Sequence, residues 1–148
     1  MYNFLLHAHS GLRWLVLIFL VAAVVNALIK KGKATEYGKS DKMPALLGLI
    51  FCHVQLLLGF VLYFISQKVS FHDGFMKDTA SRFYAVEHVS MMVIAIILIT
   101  IGYSKAKKQT EISKKHNTIL FFYGIGLLLI LASIPWPFRT ALGVTGWF

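Results

Sequence analysis

The sequence predicts an all-α protein: an integral membrane four-helix bundle with up-down topology. Four long apolar runs fill most of the 148-residue chain, which is 57% hydrophobic and only 14% charged. A soluble domain carries roughly 25% charged residues. None of the runs shows the period-two alternation of a membrane β-barrel. The segments between the runs are short, so consecutive helices should be antiparallel neighbours.

Each apolar run is close to the ~20 residues that cross about 30 Å of hydrocarbon. The four predicted spans cover about residues 11–29, 44–65, 83–103 and 118–134 of a single domain, residues 1–148. Helical structure in the first run can begin as early as Phe4. Pro44 is expected in the first turn of the second helix, where its missing N–H costs nothing.

Positive charge predicts the orientation of the chain. Ten of the fifteen Lys and Arg residues lie in two segments, 30–42 and 105–115. These segments form the first and third loops, and cytoplasmic loops are enriched in Lys and Arg. The prediction is a multi-pass protein of the bacterial inner (cytoplasmic) membrane, with both termini on the periplasmic side. Because the basic clusters flank apolar runs, the expected partners are the lipid bilayer and other membrane protein subunits rather than nucleic acid.

Three histidines, His9, His53 and His88, lie in or at the edge of predicted spans. An ionisable side chain in lipid indicates a functional site by default. A lone histidine is usually satisfied by a carbonyl on the next helix. Three histidines on three spans make a shared centre competitive, because imidazole is a common ligand for haem iron, copper and non-haem iron. From the helical rise, His9 and His88 should lie toward the outer side and His53 near the midplane.

Arginines near this level favour haem over a bare metal. Arg13 and Arg82 are predicted on the outer side, near His9 and His88. A guanidinium group matches a carboxylate in a bidentate manner, so both arginines are candidates for holding haem propionates. The alternative for both is simple snorkelling at a helix end. Glu87 is expected to pair with an arginine, since an unpaired carboxylate inside a span is costly.

A polar stripe formed by Cys52, Gln55 and Gly59 lies roughly opposite His53 on the second span. It predicts a helix–helix contact with an interhelical hydrogen bond rather than a site. The sequence contains no catalytic triad, no Gly-rich phosphate loop and no EF-hand run. Whether the protein is an enzyme therefore stays open from the sequence.

Four stretches resemble a known family: HSGLRW at 9–14, HVQLLLG at 53–59, RFYAVEH at 82–88 and IPWP at 134–137. They are similar to a family of small bacterial four-span membrane proteins described as cytochrome b-like. The resemblance covers essentially the whole chain and implies a haem b role, with His9, His53 and His88 at the matching positions.

The leading expectation is a cytochrome b-like protein that binds haem b for electron transfer within a larger respiratory assembly. His88 would be one axial ligand to the metal and His53 or His9 the other, with Arg13 and Arg82 on the propionates. One alternative is a cofactor-free accessory or structural subunit of a larger membrane complex. A second is a membrane porphyrin or quinone oxidoreductase, for which a quinone would be a further partner.

Overall fold

Four long helices make up the structure. A computed structural model describes residues 1–33, 36–144 and 146. The long helices are α1 (Tyr2–Lys30), α2 (Lys39–Ile65), α5 (Ile112–Ser133) and a composite helix of α3 (Thr79–Arg82), a π-helical turn (Phe83–Glu87) and α4 (His88–Lys108). A short 3-10 turn (Thr140–Leu142) follows α5. The described residues contain no strand, so the all-α prediction is confirmed.

All four helices are long and apolar enough to cross a membrane. Between 22% and 33% of the most apolar segment of each helix is buried inside the bundle, so most of that apolar surface faces outward. Phe64 is 82% exposed and Leu128 is 67% exposed. Helices that are apolar on every face are typical of chains surrounded by lipid or by partner subunits.

The helices extend beyond the predicted spans at nearly every end. Hydropathy detects only the apolar stretch, whereas the backbone hydrogen bonds continue through the polar residues that flank it. The clearest case is α2, which begins at Lys39 because the Asp41 carboxylate accepts a hydrogen bond from the Gly38 N–H at 2.9 Å. Pro44 therefore lies in the second turn rather than in the first, and one intrahelical hydrogen bond is missing there.

Hydrogen bonds between the helices show the up-down arrangement. Tyr2 near the start of α1 lies 3.1 Å from Ser66 at the end of α2, measured between the hydroxyl oxygens. At the opposite end, the Tyr123 hydroxyl donates to the Ala45 carbonyl at 2.7 Å. We name the end that carries Tyr2, Ser66 and Ser133 the histidine end. The end that carries residues 30–33, 36–42 and 105–115 is the lysine end.

A buried carboxylate ties α1 to α2 at the lysine end. The Asp41 side chain is 2% exposed and accepts from Lys30 Nζ and from Asn26 Nδ2, each at 2.7 Å. Charge-assisted hydrogen bonds of this kind are the stronger ones in proteins. The neighbouring loop packs inward too, since the Tyr37 ring lies 5.1 Å from the buried His116 ring. Burial, with a contribution from the Asp41 charge, raises the pKa of Tyr37 to about 12.

Removing this carboxylate should weaken the bundle. We expect Asp41→Ala to lower the free energy of unfolding by about 1–3 kcal/mol, because the half-buried Asn26 amide loses its acceptor. Lys30 can turn to solvent and contributes little to the loss. Chemical unfolding in detergent measures the difference. Asp73→Ala is the control, because Asp73 lies exposed in a loop. An equal effect of both substitutions would contradict the role given to Asp41.

Close approach of α4 and α5 depends on glycine. A Cβ atom added at Gly102 would collide with Cβ of Phe122, whereas a Cβ added at Gly124 would meet nothing within 4 Å. We expect Gly102→Ala to cost about 1–3 kcal/mol of stability through overpacking. Gly124→Ala should leave stability unchanged or raise it by up to about 1 kcal/mol through helix propensity. Thermal unfolding of both variants in the same detergent tests this, and equal melting temperatures would refute it.

Candidate functional site: a cavity with two facing histidines

A cavity of about 290 Å³ lies among the long helices at the histidine end. This volume is near the lower end of the roughly 300–1,000 Å³ of small-molecule sites. Most of its wall is apolar, with Leu6, Val16, Leu56, Phe60, Ile96 and Ile130 among the lining residues. Its polar and charged lining side chains include His9, Ser10, Arg13, Gln55, Tyr63, Ser66, Lys68, Tyr84 and His88. An apolar chamber with a few polar groups is the usual form of a ligand site.

Two of the predicted site residues, His9 and His88, lie next to each other on the wall of this cavity. The ring centroids of His9, on α1, and His88, on α4, are 6.5 Å apart, and the ring planes are inclined at 71°. Two imidazoles from separate helices on one cavity are what a single guest with a metal centre requires as axial ligands. The sequence left the choice of pair open. The structure brings His9 and His88 together.

The His88 ring is held in a defined orientation. Its Nδ1 lies 2.8 Å from the carbonyl oxygen of Ser133, at the end of α5. A carbonyl only accepts, so Nδ1 carries the hydrogen and Nε2 of the neutral ring keeps the lone pair. A backbone carbonyl on the second nitrogen is the common way to orient a metal-ligating histidine.

The His9 side of the cavity is shaped by the polar stripe of α2. Gln55 Nε2 donates to the His9 carbonyl at 2.8 Å, which confirms the predicted interhelical hydrogen bond. Gly59 leaves room for the ring, since a Cβ there would lie 3.2 Å from His9 Cε1. His9 Nδ1 and Gln55 Oε1 are buried without a hydrogen-bond partner in the part of the chain that the structure describes. Buried polar atoms in folded proteins usually have a hydrogen-bond partner, so these two atoms are available to a polar group that enters the cavity. The stripe therefore lines a site as well as a helix contact.

A π-helical turn comes directly before His88. Phe83–Glu87 forms this turn, and the His88 N–H bonds to the Phe83 carbonyl, five residues back. The Tyr63 hydroxyl of α2 donates to the carbonyl of Ala85 within the turn at 3.0 Å. Single π-helical turns inside helices are frequent at functional sites. The turn fixes which face of the composite helix carries His88.

The loop before this helix is also anchored. Asp78 caps α3 by accepting a hydrogen bond from the Ser81 N–H at 2.8 Å. Hydrogen bonds from Ser81 lower the pKa of the Asp78 carboxyl. His72 Nε2 lies 3.3 Å from Ser81 Oγ, which joins the loop to the same serine.

Only one of the two predicted propionate arginines lies on the cavity wall. Arg13 lines the cavity, with its guanidinium carbon 5.4 Å and 5.8 Å from the ring centroids of Trp14 and Trp136. Stacking on indole rings holds the planar guanidinium in place.

Arg82 is engaged elsewhere. Its Nε donates to Glu87 Oε1 at 2.7 Å and its Nη1 donates to the Met76 carbonyl at 3.0 Å. The expected pairing of Glu87 with an arginine is thus confirmed. Arg82 is not among the lining residues of the cavity. In this structure the charge of Arg82 is paired with Glu87, away from the cavity wall, and its role at a propionate stays a prediction.

His53 does not join the other two histidines. Its ring is exposed on the outward face of α2, with Nδ1 2.8 Å from the Leu49 carbonyl of the same helix. It lines a shallow outward groove between α2 and α4, together with Val93 and Thr100. The helical rise predicts a level for His53 along the helix, but it does not predict which way the side chain points.

Sequence reasoning missed two cations near the site. Lys68 lines the cavity and its Nζ lies 5.2 Å from the ring centroid of Tyr84. The guanidinium carbon of Arg139 lies 4.7 Å from the ring centroid of Phe83, whose ring lies 5.7 Å from that of His88. Both residues follow the end of a long helix, and no local pattern in a single sequence shows that these segments fold back over the cavity.

No family model, curated protein or solved structure matches the chain. Among the described residues, no three His, Cys, Asp or Glu side chains converge in a way that could hold a metal ion by themselves. A planar macrocycle that supplies four nitrogen ligands of its own needs only two imidazoles.

Proposed function

We propose that this is a cytochrome b-like membrane protein that binds haem b in the cavity for electron transfer, within a larger respiratory assembly. The observation that carries the proposal is the pair of imidazoles, His9 and His88, from two helices on one cavity wall, with ring centroids 6.5 Å apart. The resemblance of four sequence stretches to cytochrome b-like proteins supports the same conclusion.

The residues on the cavity wall fit this group. His88 presents Nε2 as a lone-pair nitrogen because Ser133 takes the Nδ1 hydrogen. His9 has a buried Nδ1 that lacks a partner among the described residues, as expected for a ring whose surroundings are completed by a guest. Arg13 supplies a cation for an acid group. His9 and His88 would therefore hold the group from two sides, and Arg13 would orient it.

Haem b, when bound, supplies an iron that can take up and release one electron. The chain contributes the surroundings of that iron. The apolar wall, including Val16, Met92 and Ile96, limits water around it. A low-dielectric, water-poor site is one of the levers by which a protein sets a haem potential. The fixed His88 ring keeps its ligand nitrogen in one place through oxidation and reduction.

A spectroscopic comparison of histidine variants tests the proposal. Protein expressed with a haem supply should show a reduced-minus-oxidised difference spectrum, with a Soret band, of a haem with two imidazole ligands. We expect His88→Ala and His9→Ala to lose this spectrum, because each removes one axial nitrogen. His53→Ala is the matched control and should keep it, since His53 lies in the outward groove.

Size exclusion and circular dichroism must show that each variant is folded. Absence of haem absorbance from folded, haem-supplied wild-type protein would refute the proposal. An unchanged spectrum in both His9→Ala and His88→Ala would refute the assigned ligands.

A second candidate function has its own observation. The outward groove presents an exposed imidazole on a helix whose other outward residues are largely apolar. A polar side chain in lipid is costly unless another helix pairs with it. This surface favours the accessory-subunit alternative, in which a partner helix covers the groove. Loss of a co-purifying membrane partner in His53→Leu, with the haem spectrum absent in wild type, would support it.

A further inference from the structure

The charges around the cavity have one sign. Among the described lining residues there are two cations, Arg13 and Lys68, and no Asp or Glu. The chain has only six acidic residues. Three of them form ion pairs with basic side chains away from the cavity wall: Asp41, Glu87 and Glu111. An apolar chamber with cations and no carboxylate favours an amphipathic guest that carries negative charge.

Lys68 is held at the loop side of this chamber. Its N–H donates to Ser66 Oγ at 3.2 Å, and Ser66 Oγ in turn lies 3.1 Å from the Tyr2 hydroxyl. Its Nζ lies 5.2 Å from the centroid of the Tyr84 ring, which also lines the cavity. The backbone of Lys68 is thereby fixed on the wall while its ammonium group stays exposed.

The two cations occupy different surroundings. Arg13 lies one helical turn after His9 on α1 and lines the cavity together with His9 and His88. Lys68 lies beyond the end of α2, on the side where Val69, Gly143 and Val144 also line the cavity. Arg82 is already engaged by Glu87 and the Met76 carbonyl.

We propose that Lys68 binds a carboxylate of the guest, so that a tetrapyrrole enters this cavity with its acid groups toward the loops of the histidine end. The inference rests on the proposed function, because it names the part of the haem that the loops recognise. Arg13, one helical turn after His9 on α1, would supply the second positive group. Lys68 thus makes the site select the free diacid over neutral porphyrins.

Four ligands separate the contribution of the acid groups to binding from the contribution of the iron. Haem, protoporphyrin IX and the dimethyl ester of each are titrated into the detergent-solubilised, haem-free full chain, with absorbance as the readout. Lys68→Gln should weaken binding of the two diacids about three- to fivefold, the size expected for an exposed charge pair. It should leave the two esters unchanged. Lys68→Glu should weaken the diacids further, and added salt should weaken only the diacids.

Lys77→Gln is the matched control, because it removes a lysine that is exposed in the same loop and does not line the cavity. It should change none of the four affinities. Equal wild-type affinity for a diacid and its ester would overturn the inference, and so would a loss in Lys68→Gln that is equal for both forms.

The iron-free ligands separate this inference from the proposed function. If protoporphyrin IX binds with the expected Lys68 dependence while haem shows no spectrum that depends on His88, the carboxylate site stands and the cytochrome function fails. If haem binds through His9 and His88 with no difference between acid and ester, the function stands and the Lys68 site fails. If none of the four ligands binds, both fail.

Discussion

Polar groups inside an apolar bundle must find their partners within the chain, and the arrangement of this protein depends on that constraint. Helices that are apolar on every side can pack in many rotations at similar free energy. Hydrogen bonds between them select one rotation. Tyr123, Gln55 and His88 each donate to a backbone carbonyl of another helix, and together they link α5 to α2, α2 to α1 and α4 to α5. Among the described residues this pairing is incomplete at His9 and Gln55, which line the cavity, and at His116, which lies toward the lysine end.

The fold class could be predicted because it depends on properties that a single sequence displays directly. Run length and apolar content identify four helices, and short connections make them antiparallel. The pairing of Glu87 and the contact made by Gln55 also followed from the cost of polar groups in apolar surroundings. Helix ends could not be placed, because a lysine-rich segment such as the start of α2 is polar and helical at once.

The site was less accessible to sequence reasoning for a physical reason. An amphipathic helix shows which face is inside, but these helices have no polar face. His53 and His88 therefore look alike in the sequence, although one ring faces outward and the other faces the cavity. The meeting of His9 with His88 depends on packing between helices far apart in the chain. The position of Lys68 on the cavity wall depends on the path of a loop, which local sequence patterns do not specify.

The π-helical turn at Phe83–Glu87 has a consequence for how this architecture can change over time. A π-helical turn contains one extra residue, so the segment after the turn is rotated about the helix axis by about 100° relative to the segment before it. Arg82 and the loop contacts lie on one side of this offset, and His88 lies on the other. Deletion of one residue within the turn would rotate His88 relative to Arg82 and the loop contacts. The length of the apolar helix would change very little. Such a deletion would separate His88 from His9 and keep the four-helix scaffold.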